Sequence, residues 1–504
     1  MRRRDFVGLA AGATSLPASV LAPASQAEWA QDRWDPQRPF ATPGKPLRVQ
    51  PVLMYTLPKR REMSSWKSWG GVQTEQGVAQ EVNRISEELK SVAAQADFPL
   101  EALPVATATS VEAAARTREA GADVNVIYPA TGSGNLLRAC IPEKGNAIIF
   151  VRHRSGPVYY WYEALSVRYL RADRLQAFTG NPAEAPRLSV HDVVVDDGGE
   201  LLWRLHGLYA AKNFAGTRIV ALGGAQGKYA RDAVQVARER LKLEVVEAGY
   251  DDFEKRIRGL LKDRDRVSRA ERWAAQYLAL PGTSLETDRK FVVNAFVLYG
   301  AFKDLMEENG ASAFTINSCM GTIMPMAETT ACLTLSLLND EGLPAFCESD
   351  FVIIPAGILL RYVSGKPVFL HNSTFPHNGM VTCAHCTSPR RMNGARYEPA
   401  RILTHYESEY GAAPKIEMPR NQELTFIDPE YATCRWVGIR GVVESNPFYE
   451  ICRSQQDVRI LGDWKKLLDE ARDSHWVMAY GNYLKELAYA APRVGVTWEA
   501  VSEA

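Results

Sequence analysis

An excess of charge, long apolar runs and dense cysteine are all missing from this sequence. Its 504 residues carry 59 basic and 59 acidic side chains, a formal net charge of zero. Without a basic field to neutralise phosphates, general nucleic-acid binding is not expected. No apolar run reaches the ~18–20 residues that a bilayer-spanning helix needs, so no stable membrane insertion is expected either. The eight cysteines are too sparse for a disulfide scaffold. Cys383-Ala384-His385-Cys386 is the only CxxC pair. A single such pair is a poor zinc signature, and buried thiols beside a loop are the expected state. No repeat at a fixed period is present.

What is there reads as an ordinary globular chain, 46% hydrophobic and 23% charged. At ~100–200 residues per domain the length suggests about three domains. Residues 1–27 stand apart. Arg2-Arg3-Arg4-Asp5-Phe6-Val7, a small and apolar stretch from Gly8 to Pro23, and Ser25-Gln26-Ala27 resemble a twin-arginine export signal with its cleavage site. The expected location is therefore periplasmic or otherwise extracytoplasmic. Residues 28–48, rich in Pro and Trp, read as a linker or extended arm.

From residue 49 strands alternate with helices, which implies parallel sheets covered on both faces. Val49 to Tyr55, Asp123 to Tyr128 and Asn146 to Val151 are strand-like, and Gly77 to Ala94 is helical by the spacing of Val78, Val82, Ile85 and Leu89. A first α/β domain is expected over 49–187 and a second, Rossmann-like one over 188–312. In the second, Thr217 to Leu222 leads through Gly223-Gly224-Ala225-Gln226-Gly227-Lys228 into a helix over 230–241. That turn lacks the spacer and the hydroxyl residue of a phosphate loop, since Tyr229 follows Lys228. It reads as a glycine turn that lets a helix pack closely on its strand. A mixed, β-rich third domain is expected over 313–504, with a helix over 327–338 after the loop Met324-Pro325-Met326.

Candidate chemistry clusters in the third domain. Glu328 is placed just before or in the first turn of a helix. Glu348 and Asp350 follow the strand Ala345-Phe346-Cys347, at the strand end where open α/β sheets place ligands. Their alternation points them the same way if the strand continues. His475 lies in the apolar Ser474-His475-Trp476-Val477-Met478. Two acids and a histidine with open positions suit a divalent ion. On pattern alone, however, each acid reads first as a solvated helix end or cap. Asp340-Glu341-Gly342 reads as a helix end. A hydrolase built on Glu348 and Asp350 has no evident pocket for a leaving group.

The run from Ala331 through Cys332, Asn339-Asp340-Glu341-Gly342 and Cys347-Glu348-Ser349-Asp350 resembles the C-terminal domain of the L-fucose and L-arabinose isomerase family. Ala384-His385-Cys386-Thr387-Ser388-Pro389, Gly462-Asp463 and Ser474-His475-Trp476 extend the similarity. Upstream, Trp66 to Gly71 and the two α/β units suit the family's first two domains. The resemblance implies two Rossmann-like domains with a mixed C-terminal domain, assembled as a homo-trimer or homo-hexamer. It implies aldose–ketose isomerisation of a small sugar at Mn²⁺ or another divalent cation. By position, Glu328 corresponds to the first acidic ligand and catalytic base, Asp350 to the second acid, and His475 to the histidine ligand. The interval from Glu328 to Asp350 is slightly shorter than the family's. Trp69, His385 and Glu348 are the candidate sugar contacts. The sugar would chelate the ion through O1 and O2, and Glu328 would take the C2 proton to give a cis-enediol. Because of the export signal, a non-catalytic carbohydrate-binding protein that keeps the fold is the alternative.

Overall fold

Apolar runs bounded by polar turns become the strands of two parallel sheets in the computed structural model. It describes residues 29–30, 33–41, 44–118, 121–143, 145–159, 188–430, 434–470 and 475–503. The export signal expected over 1–27 lies outside the described residues. The first sheet holds β1 (Leu47–Met54), β2 (Leu100–Ala102), β3 (Ala106–Ala108), β4 (Val124–Pro129), β5 (Asn146–Val151) and β6 (Val193–Val195). Its order is β2-β1-β4-β5-β6 with β3 also on β1, and every pairing is parallel. β4 is buried at every residue, as a strand covered by helices on both faces must be. The covering helix Glu75–Gln95 is capped by Thr74, whose hydroxyl accepts from Gly77 N, and it turns Val78, Ile85 and Leu89 inward. β6 continues this sheet past residue 188, the expected start of the next domain.

The second sheet uses β7 (Arg218–Leu222), β8 (Glu244–Ala248), β10 (Ala313–Ile316) and β11 (Ala345–Phe346), while β9 (Thr283–Leu285) pairs elsewhere. The order β11-β10-β7-β8 is parallel throughout. From β7 the chain steps outward to β8, and from β10 it steps the other way to β11. Strand order therefore reverses between β7 and β10, and a crevice opens there at the carboxyl ends of the strands. The boundary expected between 312 and 313 falls within this sheet.

The Trp-rich arm packs rather than links. Trp29 and Trp34 are both buried. Trp29 stacks on Trp273 at 6.0 Å, and Trp34 meets Phe296 edge-on at 4.9 Å. The arm thus seals the helices Arg264–Leu278 and Arg289–Glu308 of the second unit.

The remaining strands are β12 (Phe369–Ser373), β13 (Met380–His385), β14 (Ala400–Leu403), β15 (Ala413–Ile416), β16 (Glu423–Glu430), β17 (Arg435–Ser445), β18 (Ser454–Leu461), β19 (His475–Tyr480) and β20 (Thr497–Ala500). Among the described residues, six of them form the antiparallel ring β16-β19-β12-β13-β18-β17, closed by β16 on β17. Closure removes the ring's free edges, and its interior is filled by side chains such as Phe369, Val381, Phe426, Val437 and Met478. β20 adds to β17 in parallel, and β9, β14 and β15 form a small separate sheet. The fold is thus two parallel α/β units followed by a mixed region built on a β-barrel.

His371 on β12 links this core to pH. It is buried among Phe369, Phe426 and Trp476, its Nδ1 faces Ser373 Oγ at 3.2 Å, and Nε2 has no hydrogen-bond partner among the described residues. Burial pushes its pKa down to about 3. The unfolded chain takes up this proton near pH ~6.5, before the folded chain can. Stability should therefore fall as pH drops from ~6.5 toward 3, by about 2–3 kcal/mol between pH ~6.5 and ~4.5 from this group. Urea unfolding across that range should show the loss in the wild type, and His371→Leu should flatten the slope.

Candidate active site

Three strand ends and the barrel build one cleft. The turn after β7 leaves the sheet through Gly223 and Gly224, at φ +80° and +95°. A methyl on Gly227 would stand 2.4 Å from both Ala230 O and Ala233 Cβ, so only glycine lets the chain reverse there. Gln226 straps this turn to the exit of β11: its N–H donates to Ser349 O at 3.2 Å, and its carbonyl accepts from Phe351 N at 2.8 Å. Its side chain also donates to Glu348 O at 2.9 Å. β11 does not continue as a strand. Glu348 and Ser349 take left-handed φ of 64° and 48°, a conformation that side chains other than glycine's adopt at a cost. The two acids converge through this tight turn rather than through strand alternation.

His475 opens β19 opposite Asn372 of β12 and is fully buried, as is Asp350. Its Nδ1 lies 2.6 Å from Asp350 Oδ2, and its Nε2 lies 3.1 Å from Lys228 Nζ. A carboxylate only accepts and an ammonium only donates. With both contacts made, the ring proton therefore sits on Nδ1 and the Nε2 lone pair is turned to Lys228 Nζ. The other oxygen of Asp350 accepts from Val352 N at 3.1 Å and Lys228 N at 3.3 Å. Lys228 Nζ also pairs with Glu348 Oε2 at 3.2 Å, and that oxygen stands 3.6 Å from His475 Nε2. His385 faces the other Glu348 oxygen at 3.9 Å and holds its own Nδ1 against Thr387 Oγ1 at 2.9 Å. The imidazole of His385 first, with the Lys228 ammonium, holds the Glu348 carboxyl well below the usual carboxylate range against the opposing effect of burial.

Gln226, Lys228, Glu348, His385 and Thr387 line a cleft of about 530 Å³, which lies in the size range of small-molecule sites, and His475 and Asp350 are buried behind Lys228 and Glu348. Asn317 and Ser318 after β10, Asn372 of β12, and His405 and Glu407 beyond β14 complete its polar wall. Thiols of Cys319, Cys332, Cys347, Cys386 and Cys452 form part of the lining. Burial pushes the Cys319 thiol up to about 11, so it is a protonated wall group and not a thiolate. Cys383 points into the barrel core while Cys386 contacts Cys332, so the CxxC does not act as a pair.

Asp350, His475, Glu348 and His385 are brought together as the sequence suggests, but Glu328 is not. Met324-Pro325-Met326 is not a loop; it lies inside the helix Cys319–Ala327, and a second helix spans Cys332–Asp340. Glu328 ends the first of these in a left-handed conformation at φ 49°, instead of opening the second. It pairs there with Lys290, about half exposed, and lines a separate cleft with Arg289 and Asn294. Trp69 is 73% exposed and lies on the first α/β unit, away from the cleft lining.

The expected Mn²⁺ triad does not fit this arrangement. One of its three donors is elsewhere, both oxygens of Asp350 are engaged, and the Nε2 lone pair meets an ammonium. Among the described residues no group of three His, Cys, Asp or Glu side chains is placed to hold a metal ion. Lys228 and His405 are the site residues that the sequence reading passed over. The signal for Lys228 was its position at the carboxyl end of a parallel strand. His405 carried none. Comparison with protein-family models and with curated proteins finds no match to this chain.

Proposed function

We propose that this chain is an aldose–ketose isomerase that acts on the open-chain form of a fucose- or arabinose-like sugar through a cis-enediol. One observation carries the reading: the buried Asp350–His475 pair stands directly behind Lys228 and Glu348, which line a polar cleft at a strand-order switch point. Asp350 is a positioning residue that fixes the imidazole and stabilises it when protonated. Lys228 Nζ exchanges its contact with Nε2 for the sugar's O1, which frees the lone pair.

His475 Nε2 then takes the C2 proton; the C–H electron pair forms C1=C2 and the carbonyl pair moves to O1. Lys228 donates a proton to O1, giving the cis-enediol, and the resulting amine takes the proton from O2. As C2=O2 forms, C1 recovers the proton from His475, so both groups end as they began. A positioned ammonium at the developing oxyanion is the electrostatic contribution. Glu348, held ionised, keeps Lys228 in place. Mn²⁺ enters no step of this scheme. Trp69 would reach a cleft only from a neighbouring copy, in the trimer or hexamer that the resemblance implies, and the export signal expected over 1–27 would carry the chain out of the cytoplasm.

The test is a panel of aldopentoses, aldohexoses and 6-deoxyaldoses, assayed for ketose with and without added Mn²⁺. At least one aldose should give its ketose without metal. If a sugar binds but none is converted in either condition, the chain is a carbohydrate-binding protein instead.

A further inference from the structure

A histidine whose Nδ1–H is held by a buried carboxylate and whose Nε2 lone pair is turned to a cation has the form of a metal ligand with its outer partner. Here the cation that the lone pair faces belongs to the chain. Lys228 Nζ, His475 Nε2 and Glu348 Oε2 form a triangle with sides of 3.1, 3.2 and 3.6 Å. An ion bridging that nitrogen and that oxygen at ~2.2 Å from each would lie within about 1.5 Å of Nζ if it entered on the side where Lys228 stands. The two cannot coexist. Lys228 is not a chance visitor either, because its backbone N–H is tied to Asp350 and its turn is strapped to the exit of β11.

We propose that Lys228 is the resident cation of this cleft: it takes the place of the divalent ion between His475 and Glu348, and its ammonium keeps such ions out. The inference deepens the proposed function by naming the electrophile that polarises the sugar carbonyl, but it rests on the triangle alone and stands whether or not a sugar is turned over.

Manganese binding tests it without any substrate. Wild type, Lys228→Met and the double variant Lys228→Met/His475→Asn would each be titrated with Mn²⁺ and followed by the loss of the free-ion electron paramagnetic resonance signal. Thermal unfolding would confirm that each variant folds, and Lys228→Gln serves in place of Lys228→Met if that one does not. The wild type should hold no stoichiometric ion, Lys228→Met should hold one per chain at least about tenfold more tightly, and the double variant should lose it again. Equal binding by wild type and Lys228→Met, or binding by neither, overturns the proposal. A bound ion that survives loss of His475 overturns it as well.

Discussion

His475→Asn should lower kcat/KM for the responsive aldose by about 10²- to 10⁴-fold, the range for removing a general base. The reason lies in how few groups could take over. Glu348 reaches the same space but is held ionised far below the usual carboxylate range by His385 and Lys228, which makes it a weak base. Asp350 is fully buried behind the imidazole, with both oxygens engaged. Asparagine retains a polar side chain beside Asp350 but offers no lone pair that accepts a proton at neutral pH. Steady-state kinetics on the folded variant decide it. A loss below about threefold, far under the range for a lost general base, would remove His475 from the reaction.

The second large effect is on stability and lies far from the cleft. Arg152 at the end of β5 is fully buried; it pairs with Glu81, which is also buried, and reaches both oxygens of Glu88 at 2.8 and 2.6 Å. Tyr128, Phe150 and Tyr159 surround the guanidinium at 5.5 to 5.9 Å. Arg152→Met fills similar volume but leaves the Glu81 carboxylate in the interior with only Arg84 as a charged partner in this group. Breaking a buried pair from one side costs about 3–5 kcal/mol, whereas replacing both partners by apolar groups is often neutral. Urea denaturation should therefore show a loss of that size for Arg152→Met, and a smaller one for Arg152→Met combined with Glu81→Leu. A loss under about 1 kcal/mol, the range of an exposed pair, would mean that water reaches the cluster.

Regular elements were readable wherever one local signal ruled. β5 spans the residues its apolar run marks, the helix Glu75–Gln95 follows its spacing, and Asp340 ends a helix before Gly342. The glycine turn after β7 closes tightly on the segment that follows it, but that segment is a short helix over Ala233–Gln235 running into a π-helix over Val236–Arg240, and not the single helix expected over 230–241. Where signals competed, the reading failed. Pro325 argued for a loop, yet it is carried inside the nine-residue helix Cys319–Ala327, two residues before its end. That one misreading moved Glu328 from the end of one helix to the start of the next, and with it the expected first metal ligand. The arm through Trp29 and Trp34 was judged by composition, which does not reveal the aromatic slot that awaits it.

His475 was legible because an imidazole in an apolar strand needs a partner, and Asp350 is that partner. Lys228 was not, because what matters about it is where three separate strand ends bring it, and no local pattern encodes that. The cation expected from outside the chain and the one found within it differ for this reason.

The central claim is that a proton moves between C2 and C1 by way of the imidazole. Running the conversion in D₂O without metal, and reading the products by NMR, tests it most directly. Deuterium should appear at C1 of the ketose and at C2 of recovered aldose, and both signals should vanish in His475→Asn. Ketose formed with its migrating hydrogen wholly retained would mean direct hydride transfer and would contradict the account.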